Sequence, residues 1–252
     1  MKKIFYFIIA VLISASCNKR KVIINENVGL DKSNSSLIYS DSCYVDVQNF
    51  KNNNYSLTIF KPNGLNIRLA SKRPSVCEHN YFCVAAAFTS KTTTIDGLFI
   101  ERGKKVATSK LDILNGTCVL KNDSLKILKS SSLTESLISE IENGKFSLFQ
   151  QVLLVYDSKM VDCELFGSSK FMRRALIQFN NSFSVCQSNE ALTIKDFQTA
   201  LVQLGVTNAM YLDMGGWSEG WYKNAKGQQV IIGEGMNSTA KQTNWLVYEV
   251  VF

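Results

Sequence analysis

The chain is poor in the residues on which most hydrolytic and nucleotide chemistry is built. Of its 252 residues, only His79 is a histidine and two are prolines. A Ser-His-Asp or Cys-His set, or a histidine-rich zinc centre, would have to be assembled around that single imidazole. Its neighbours form neither a nucleophile elbow nor a His-Glu-x-x-His helix. The glycine patterns that cradle phosphates, Gly-x-x-x-x-Gly-Lys-Ser/Thr and Gly-x-Gly-x-x-Gly, are missing as well, so nucleoside triphosphate and dinucleotide chemistry has no support. Charge is sparse. The chain holds 28 Lys and Arg against 21 Asp and Glu, a formal +7, and the excess is scattered apart from Lys19-Arg20-Lys21. Without an aromatic-interleaved basic stripe this argues against nucleic acid as a partner, and leaves a modest attraction for anionic ligands.

Long apolar runs are confined to the start. Lys2 and Lys3 precede an apolar stretch over 4–13, followed by Ser14-Ala15-Ser16-Cys17. That is the plan of a bacterial secretory signal ending in a lipobox, with Cys17 as the lipid attachment site. The stretch is well short of the roughly 20 residues that a membrane span requires. The expectation is a signal peptide over 1–17, a polar tether over 18–36, and one folded domain over 37–252, anchored by lipid in the bacterial cell envelope and facing the periplasm or the exterior.

Seven cysteines become six once Cys17 is assigned to lipid. An even number in an oxidising compartment permits disulfides, without indicating which cysteines pair. Cys77 and Cys83 flank His79, but their spacing matches no common zinc pattern, so a disulfide or buried thiols is the better reading.

Alternating apolar patterns and turn signals dominate the first half. Strands are expected over 55–60 and 65–70 around Pro62-Asn63-Gly64, over 81–89, over 97–100 with 105–108 around Gly103, and over 118–128 folding at Asn122-Asp123. Further strands are expected over 151–156, 229–232 and 244–252. Two segments carry helical period instead. Over 132–144, Ser132 and Glu135 form a capping box and Gly144 ends the helix. Over 193–205, Thr193 caps, Asp196 sits in the first turn and Gly205 ends it. A hairpin over 174–186 turning at Asn180-Asn181 precedes that second helix, and a buried strand over 206–212 follows it. The expected class is α+β, with a mostly antiparallel or mixed sheet and a few packed helices in a single domain.

With histidine chemistry set aside, carboxylate chemistry assisted by arginine and backbone amides remains. The segment Tyr211-Leu212-Asp213-Met214-Gly215-Gly216-Trp217-Ser218-Glu219-Gly220-Trp221 puts a carboxylate at a strand exit. Paired glycines follow, whose N–H groups can approach a ligand oxygen, then a hydroxyl, a second carboxylate and two indoles. A capped turn with both tryptophans packed as core would use the same residues. Glycoside cleavage commonly uses two carboxyl groups, and Asp213 with Glu219 is the obvious pair, with Asp96 or Glu164 as other possible partners. Arg173 and Arg174 open the hairpin strand. Alternation sends them to opposite faces, so at most one enters the same cleft, where a guanidinium suits a phosphate or carboxylate. The alternative for the pair is a solvated strand end. A divalent ion could sit beside Asp213, but no dedicated ligand set is visible, and no cofactor is expected.

These residues resemble the phosphodiester glycosidase family, the domain of the enzyme that uncovers mannose 6-phosphate by removing N-acetylglucosamine. The likeness runs from Arg174-Ala175-Leu176, through Leu204-Gly205-Val206-Thr207-Asn208-Ala209, to Leu212-Asp213-Met214-Gly215-Gly216-Trp217-Ser218. It is closer to an exported Bacteroides-type branch, in which Tyr-Leu-Asp-Met-Gly precedes a Trp-rich loop and the chain ends in a Thr-Asn-Trp strand, here Thr243-Asn244-Trp245. Ala85-Ala86-Ala87-Phe88-Thr89 and Ile95-Asp96-Gly97 look like upstream motifs of that branch. Met214 stands where the family has the first of three loop glycines, Trp217 where it has serine, and Ala86-Ala87 where it has Asn-Gly. The resemblance implies a lipid-anchored hydrolase of a sugar-1-phosphodiester or related glycan. In that reading Asp213, Glu219 and Arg174 are catalytic, and Gly215, Gly216, Trp217, Ser218, Trp221, Thr89 and Asn208 bind substrate. The departures motivate an alternative, a catalytically inert carbohydrate-binding lipoprotein on the same scaffold. Sugar, leaving group, stereochemistry and oligomeric state stay open.

Overall fold

Short runs of alternating apolar residues, closed by residues that tolerate positive φ, produce a predominantly β structure. The computed structural model describes residues 43–52, 54–75, 79–122, 124–163, 166–214, 218–233 and 242–250. All of them belong to the compact unit Tyr39–Phe252. The signal, the tether and Cys17 lie outside the described residues, as do Cys77, Glu164, Gly215, Gly216 and Trp217. Among the described residues no helix is long and apolar enough to cross a membrane.

The strands form sheets of seven, five and five. The largest runs, in spatial order, Tyr44–Lys51, Ser56–Asn63, Ser182–Ser188, Arg174–Phe179, Asn208–Tyr211, Leu153–Tyr156 and Lys159–Met160. The second runs Gln229–Ile232, Gly220–Lys223, Asn80–Ala85, Trp245–Glu249 and Asn66–Ala70. The third runs Lys104–Ala107, Phe99–Glu101, Ser147–Gln151, Gly116–Lys121 and Ser124–Lys129. Pairings between described strands are antiparallel throughout. With two α-helices among the described residues against this much strand, the described part is more β than the expected α+β balance.

Two expected units split between sheets. Ser56–Asn63 and Asn66–Ala70 do not pair. Gly64, at φ 64°, carries the chain from the first sheet to the second, and the partners of Ser56–Asn63 are Tyr44–Lys51 and Ser182–Ser188 instead. The expected strand over 151–156 breaks at Val152, where Ser147–Gln151 stays in the third sheet and Leu153–Tyr156 enters the first. A period of two identifies strands but not their neighbours.

Helix Ile194–Leu204 follows its sequence signals. The Thr193 hydroxyl accepts from Asp196 N–H at 3.0 Å, and Gly205 closes the helix in the left-handed region at φ 89°. Phe197 and Leu201 are fully buried against the first sheet, so truncating either to alanine costs about 2–5 kcal/mol. Helix Glu135–Asn143 starts later than expected. Ser132 belongs to a 3₁₀ turn, Ser130–Ser132, whose Ser130 hydroxyl is anchored on Leu114 O at 2.7 Å. Thr134, in extended conformation, supplies the cap instead, accepting from Leu137 N–H at 3.2 Å.

The hairpin over Arg174–Phe179 and Ser182–Ser188 turns at Asn180 and Asn181, both at positive φ, the type I′ pattern that asparagine tolerates. Cys43, Cys118 and Cys186 are free thiols. Burial pushes the Cys118 and Cys186 thiols far up, which keeps them protonated and unreactive.

Candidate active site

The register of the first sheet brings its two informative strands to one edge. Ala175 pairs with Tyr211 in antiparallel sense, so Arg174–Phe179 begins where Asn208–Tyr211 ends. Leu212 N–H donates to Arg174 O at 3.0 Å, and Asp213 N–H then donates to Ala86 O at 3.0 Å, just past the end of Asn80–Ala85 in the second sheet. Residue 220 starts a strand beside Asn80–Ala85, with Ala85 N–H donating to Glu219 O at 3.2 Å. Asp213 and Glu219 therefore both meet the end of Asn80–Ala85, and Asp213 sits at the seam between the two sheets.

Asp213 is 3% exposed. Its Oδ2 accepts from Thr89 N–H at 2.9 Å, and Met214 N–H also donates to it. Burial pushes the carboxyl up to about 7. Asp96 adds to the rise, while the two N–H donors and Arg174 oppose it. A carboxyl poised near neutrality can both take and give a proton.

Arg174 is fully buried. Its Nε and Nη2 donate to Gln187 Oε1 at 3.0 and 2.6 Å, and Nη1 donates to Ser218 O at 2.9 Å. Burial lowers its pKa to about 10, offset in part by Tyr211 and Asp213, so the guanidinium stays charged at neutral pH. Arg174 and Asp213 interact through space, while the hydrogen bonds of each go elsewhere. Gly233, at φ +77°, packs over this arrangement. A Cβ there would lie 2.1 Å from Ser218 O and 3.0 Å from Arg174 Nη2.

Arg173 is buried too, on the other face. Its guanidinium lies 5.0 Å from the Phe166 ring centroid, 5.3 Å from Phe171 and 6.0 Å from Tyr211, and donates to Leu192 O and Ser169 O. The two arginines part as alternation requires, but neither is a solvated strand end. Charge-assisted hydrogen bonds replace water around each, joined at Arg173 by ring faces.

The segment leading to Thr89 is fixed by Asn244, whose side-chain Oδ1 accepts from Ala87 N–H at 2.6 Å and whose Nδ2 donates to Ala87 O at 3.0 Å. The Thr89 hydroxyl lies 3.3 Å from both Asn244 Nδ2 and Thr243 Oγ1. Beside Thr243, the Gln242 amide is buried with neither end bonded to protein. Among the described residues no group of three or more His, Cys, Asp or Glu side chains converges to hold a metal.

This strand-end carboxyl and the fold around it lie within residues 80–248, the span matched by the phosphodiester glycosidase family. The chain belongs to the phosphodiester glycosidase family. A hypothetical protein from Synechocystis has a similar fold, with TM-score 0.59 at 12% identity over 84% of this chain, which spans 63% of that protein's length. The catalytic domain of zebrafish N-acetylglucosamine-1-phosphodiester alpha-N-acetylglucosaminidase, auto-inhibited by its pro-peptide, superposes with TM-score 0.54 at 14% identity over 83% of this chain and 84% of that one. No curated protein matches significantly.

In this member of the family the residues singled out by sequence do not all gather. Asp213, Arg174, the Ser218 carbonyl and the Thr89 N–H do. Glu219 is buried and turned to Arg73, whose Nη1 lies 2.6 and 2.5 Å from its two oxygens while the guanidinium stacks 5.0 Å from the Trp245 ring. Its carboxylate is ion-paired there, and the carboxylate whose charge helps to raise the pKa of Asp213 is Asp96. Trp221 is 2% exposed and packs with Ala70, Cys83, Trp245 and Val247, so it presents no face to a sugar. Asn208 stands at the opposite end of its strand, where its amide donates to Gln178 Oε1 at 2.7 Å and accepts from Asp157 N–H at 3.2 Å. Strand alternation and motif spacing could not foresee Gln187, Arg73 or Gly233. Gln187 was reachable through hairpin register, since it pairs with Arg174 once the turn is placed at Asn180-Asn181.

Proposed function

We propose that this protein hydrolyses the glycosidic bond of a sugar-1-phosphodiester, with Asp213 as the proton-transfer group and Arg174 as the anion clamp. The observation that carries the reading is the buried Asp213 carboxyl, raised to about 7, within electrostatic reach of the fully buried Arg174 guanidinium. Three hydrogen bonds to described residues hold Arg174; a guanidinium has five N–H groups, so two have no acceptor among the described residues, and these are the ones proposed to face a phosphate oxygen.

In this reaction ionised Asp213 takes a proton from the attacking water as that water bonds to the anomeric carbon. The bond between that carbon and the phosphate oxygen breaks, and the phosphate monoester leaves with the bonding electrons against Arg174. A phosphate is a good leaving group, so the demand on the protein is charge stabilisation and water activation. The family and the zebrafish enzyme's activity support the substrate class.

An inert carbohydrate-binding protein on the same scaffold is the second reading, favoured by the engagement of Glu219 with Arg73 and the burial of Trp221. The two separate on turnover of a synthetic sugar-1-phosphodiester. The enzyme reading expects release of free sugar by the wild type and a loss of at least about a hundredfold in Asp213→Asn. Binding without turnover in either protein selects the inert reading. Export and anchoring through Cys17 are part of the proposal; radiolabelled fatty acid should enter the wild type in its bacterial host and not Cys17→Ser.

A further inference from the structure

A single peptide unit ties Asp213 to a second carboxylate-bearing residue. The peptide between Phe88 and Thr89 donates its N–H to Asp213 Oδ2 at 2.9 Å. Its carbonyl, Phe88 O, accepts from the backbone N–H of Asp96 at 2.9 Å. The turn between them is closed by an antiparallel bridge from Thr89 to Ile95 and by Ser90 N–H donating to Thr94 O at 2.8 Å. On its other side Asp96 is followed by Gly97, at φ +88°, where a Cβ would lie 2.7 Å from Leu114 Cδ1. Asp96 is thus held at the same seam as Asp213 by backbone on both sides, and is half-buried there.

We propose that Asp96, and not Glu219, is the second carboxylate of this site, a positioning residue that acts on Asp213 from the turn whose Phe88–Thr89 peptide both residues share. The inference rests on the reading of Asp213 as the proton-transfer group. Charged and titratable groups face Asp213 from three directions. Arg174 comes from the neighbouring strand, Tyr211 from its own strand with Arg173 behind the ring, and Asp96 from the 89–96 turn. Burial is the largest cause of the raised carboxyl, and of these groups Asp96 is the one that adds to it. A like charge in a poorly solvated place disfavours ionisation, so Asp96 opposes the pull of Arg174 and of the two backbone donors. Without it the same pocket would hold a weaker base. Glu219 cannot take this part, because Arg73 compensates its charge locally.

The test reads the native titration of Asp213 without requiring turnover. Unfolding stability is measured from pH 3 to pH 9 for the wild type, Asp213→Asn, Asp96→Asn and the double variant. The wild type minus Asp213→Asn difference reports the midpoint of Asp213 in the native protein, and the Asp96→Asn minus double-variant difference reports the same midpoint without Asp96. The expected result is a midpoint lower by about half a pH unit or more when Asp96 is asparagine, restored toward the wild-type value by Asp96→Glu. A matching shift to lower pH is expected in the acidic limb of kcat/KM. An unchanged midpoint in the Asp96→Asn background overturns the role of Asp96 and leaves the proposed function standing. No pH-dependent difference between wild type and Asp213→Asn overturns both.

Discussion

The carboxylate of Asp213 is anchored on the backbone N–H of Thr89, 124 residues earlier in the chain, at 2.9 Å. The donor is main chain, so side-chain substitution at Thr89 leaves it in place. What determines it is the path of residues 86–89, set by the Asn244 amide on Ala87. Asp213, at the end of a strand in one sheet, is therefore positioned by the exit of a strand in another, and its environment depends on the seam remaining closed.

Asp213 is expected to trade stability for activity. Its native carboxyl binds a proton more tightly than the unfolded one, so stability is unaffected below the unfolded value of 3.8, falls as pH rises toward the native value of about 7, and stays reduced above it. Asp213→Asn should therefore be more stable than the wild type at pH 8, by on the order of 1–4 kcal/mol, and equal to it near pH 3. Chemical denaturation at the two pH values measures this, and equal stabilities at pH 8 would contradict it. In the active protein kcat/KM should rise through about pH 7 as Asp213 ionises.

Arg174 should separate anionic from neutral substrates. Arg174→Lys keeps the charge and loses the fork, so KM for a sugar-1-phosphodiester should rise about tenfold or more while a neutral aryl glycoside is affected less than about threefold. Arg174→Ala removes the guanidinium donors to Gln187 Oε1 and the Ser218 carbonyl, and should cost about 2–4 kcal/mol of stability. Equal effects on both substrates would remove the anion clamp from the account.

Glu219 is expected to behave as structure. Glu219→Gln keeps the volume but weakens the contact with Arg73, so it should lower stability by about 1–3 kcal/mol and turnover by less than about tenfold. Steady-state kinetics beside thermal unfolding checks the split. A hundredfold loss of kcat with unchanged stability would return Glu219 to a catalytic role.

Gly233 should tolerate no side chain. In Gly233→Ala the new Cβ would collide with the Ser218 carbonyl, and the backbone sits at φ +77°, so about 1–3 kcal/mol of stability is expected to be lost. Binding of the phosphodiester should weaken with it, because the displaced carbonyl is one of the groups that aim Arg174. Calorimetric titration of the variant with the substrate measures that link.

Much of this arrangement is written in local patterns. The second helix, with Thr193 and Gly205 at its ends, and the Asn180-Asn181 hairpin follow from rules that act over a few residues, and together they fix the relation between Arg174 and Asp213. Sheet membership is not local. The period-2 pattern on either side of Gly64 could not reveal that the chain leaves one sheet for another. The contact of Glu219 was hidden for the same reason: six positions from Asp213 along the chain, its side chain meets Arg73, 146 residues away. Burial of Trp221 and the placement of Asn208 likewise depend on which strands lie beside them. Asp96 stood in the sequence as one of two other possible partners of Asp213, but nothing local singled it out, since the peptide that links it to Asp213 belongs to Phe88 and Thr89.

Hydrolysis of a sugar-1-phosphodiester in ¹⁸O-labelled water tests the central claim most directly, because it reports which bond is cut. With the wild-type protein the account predicts label in the anomeric hydroxyl of the released sugar and none in the phosphate monoester, with release lost in Asp213→Asn. Label in the phosphate instead would show attack at phosphorus and contradict the glycosidic mechanism.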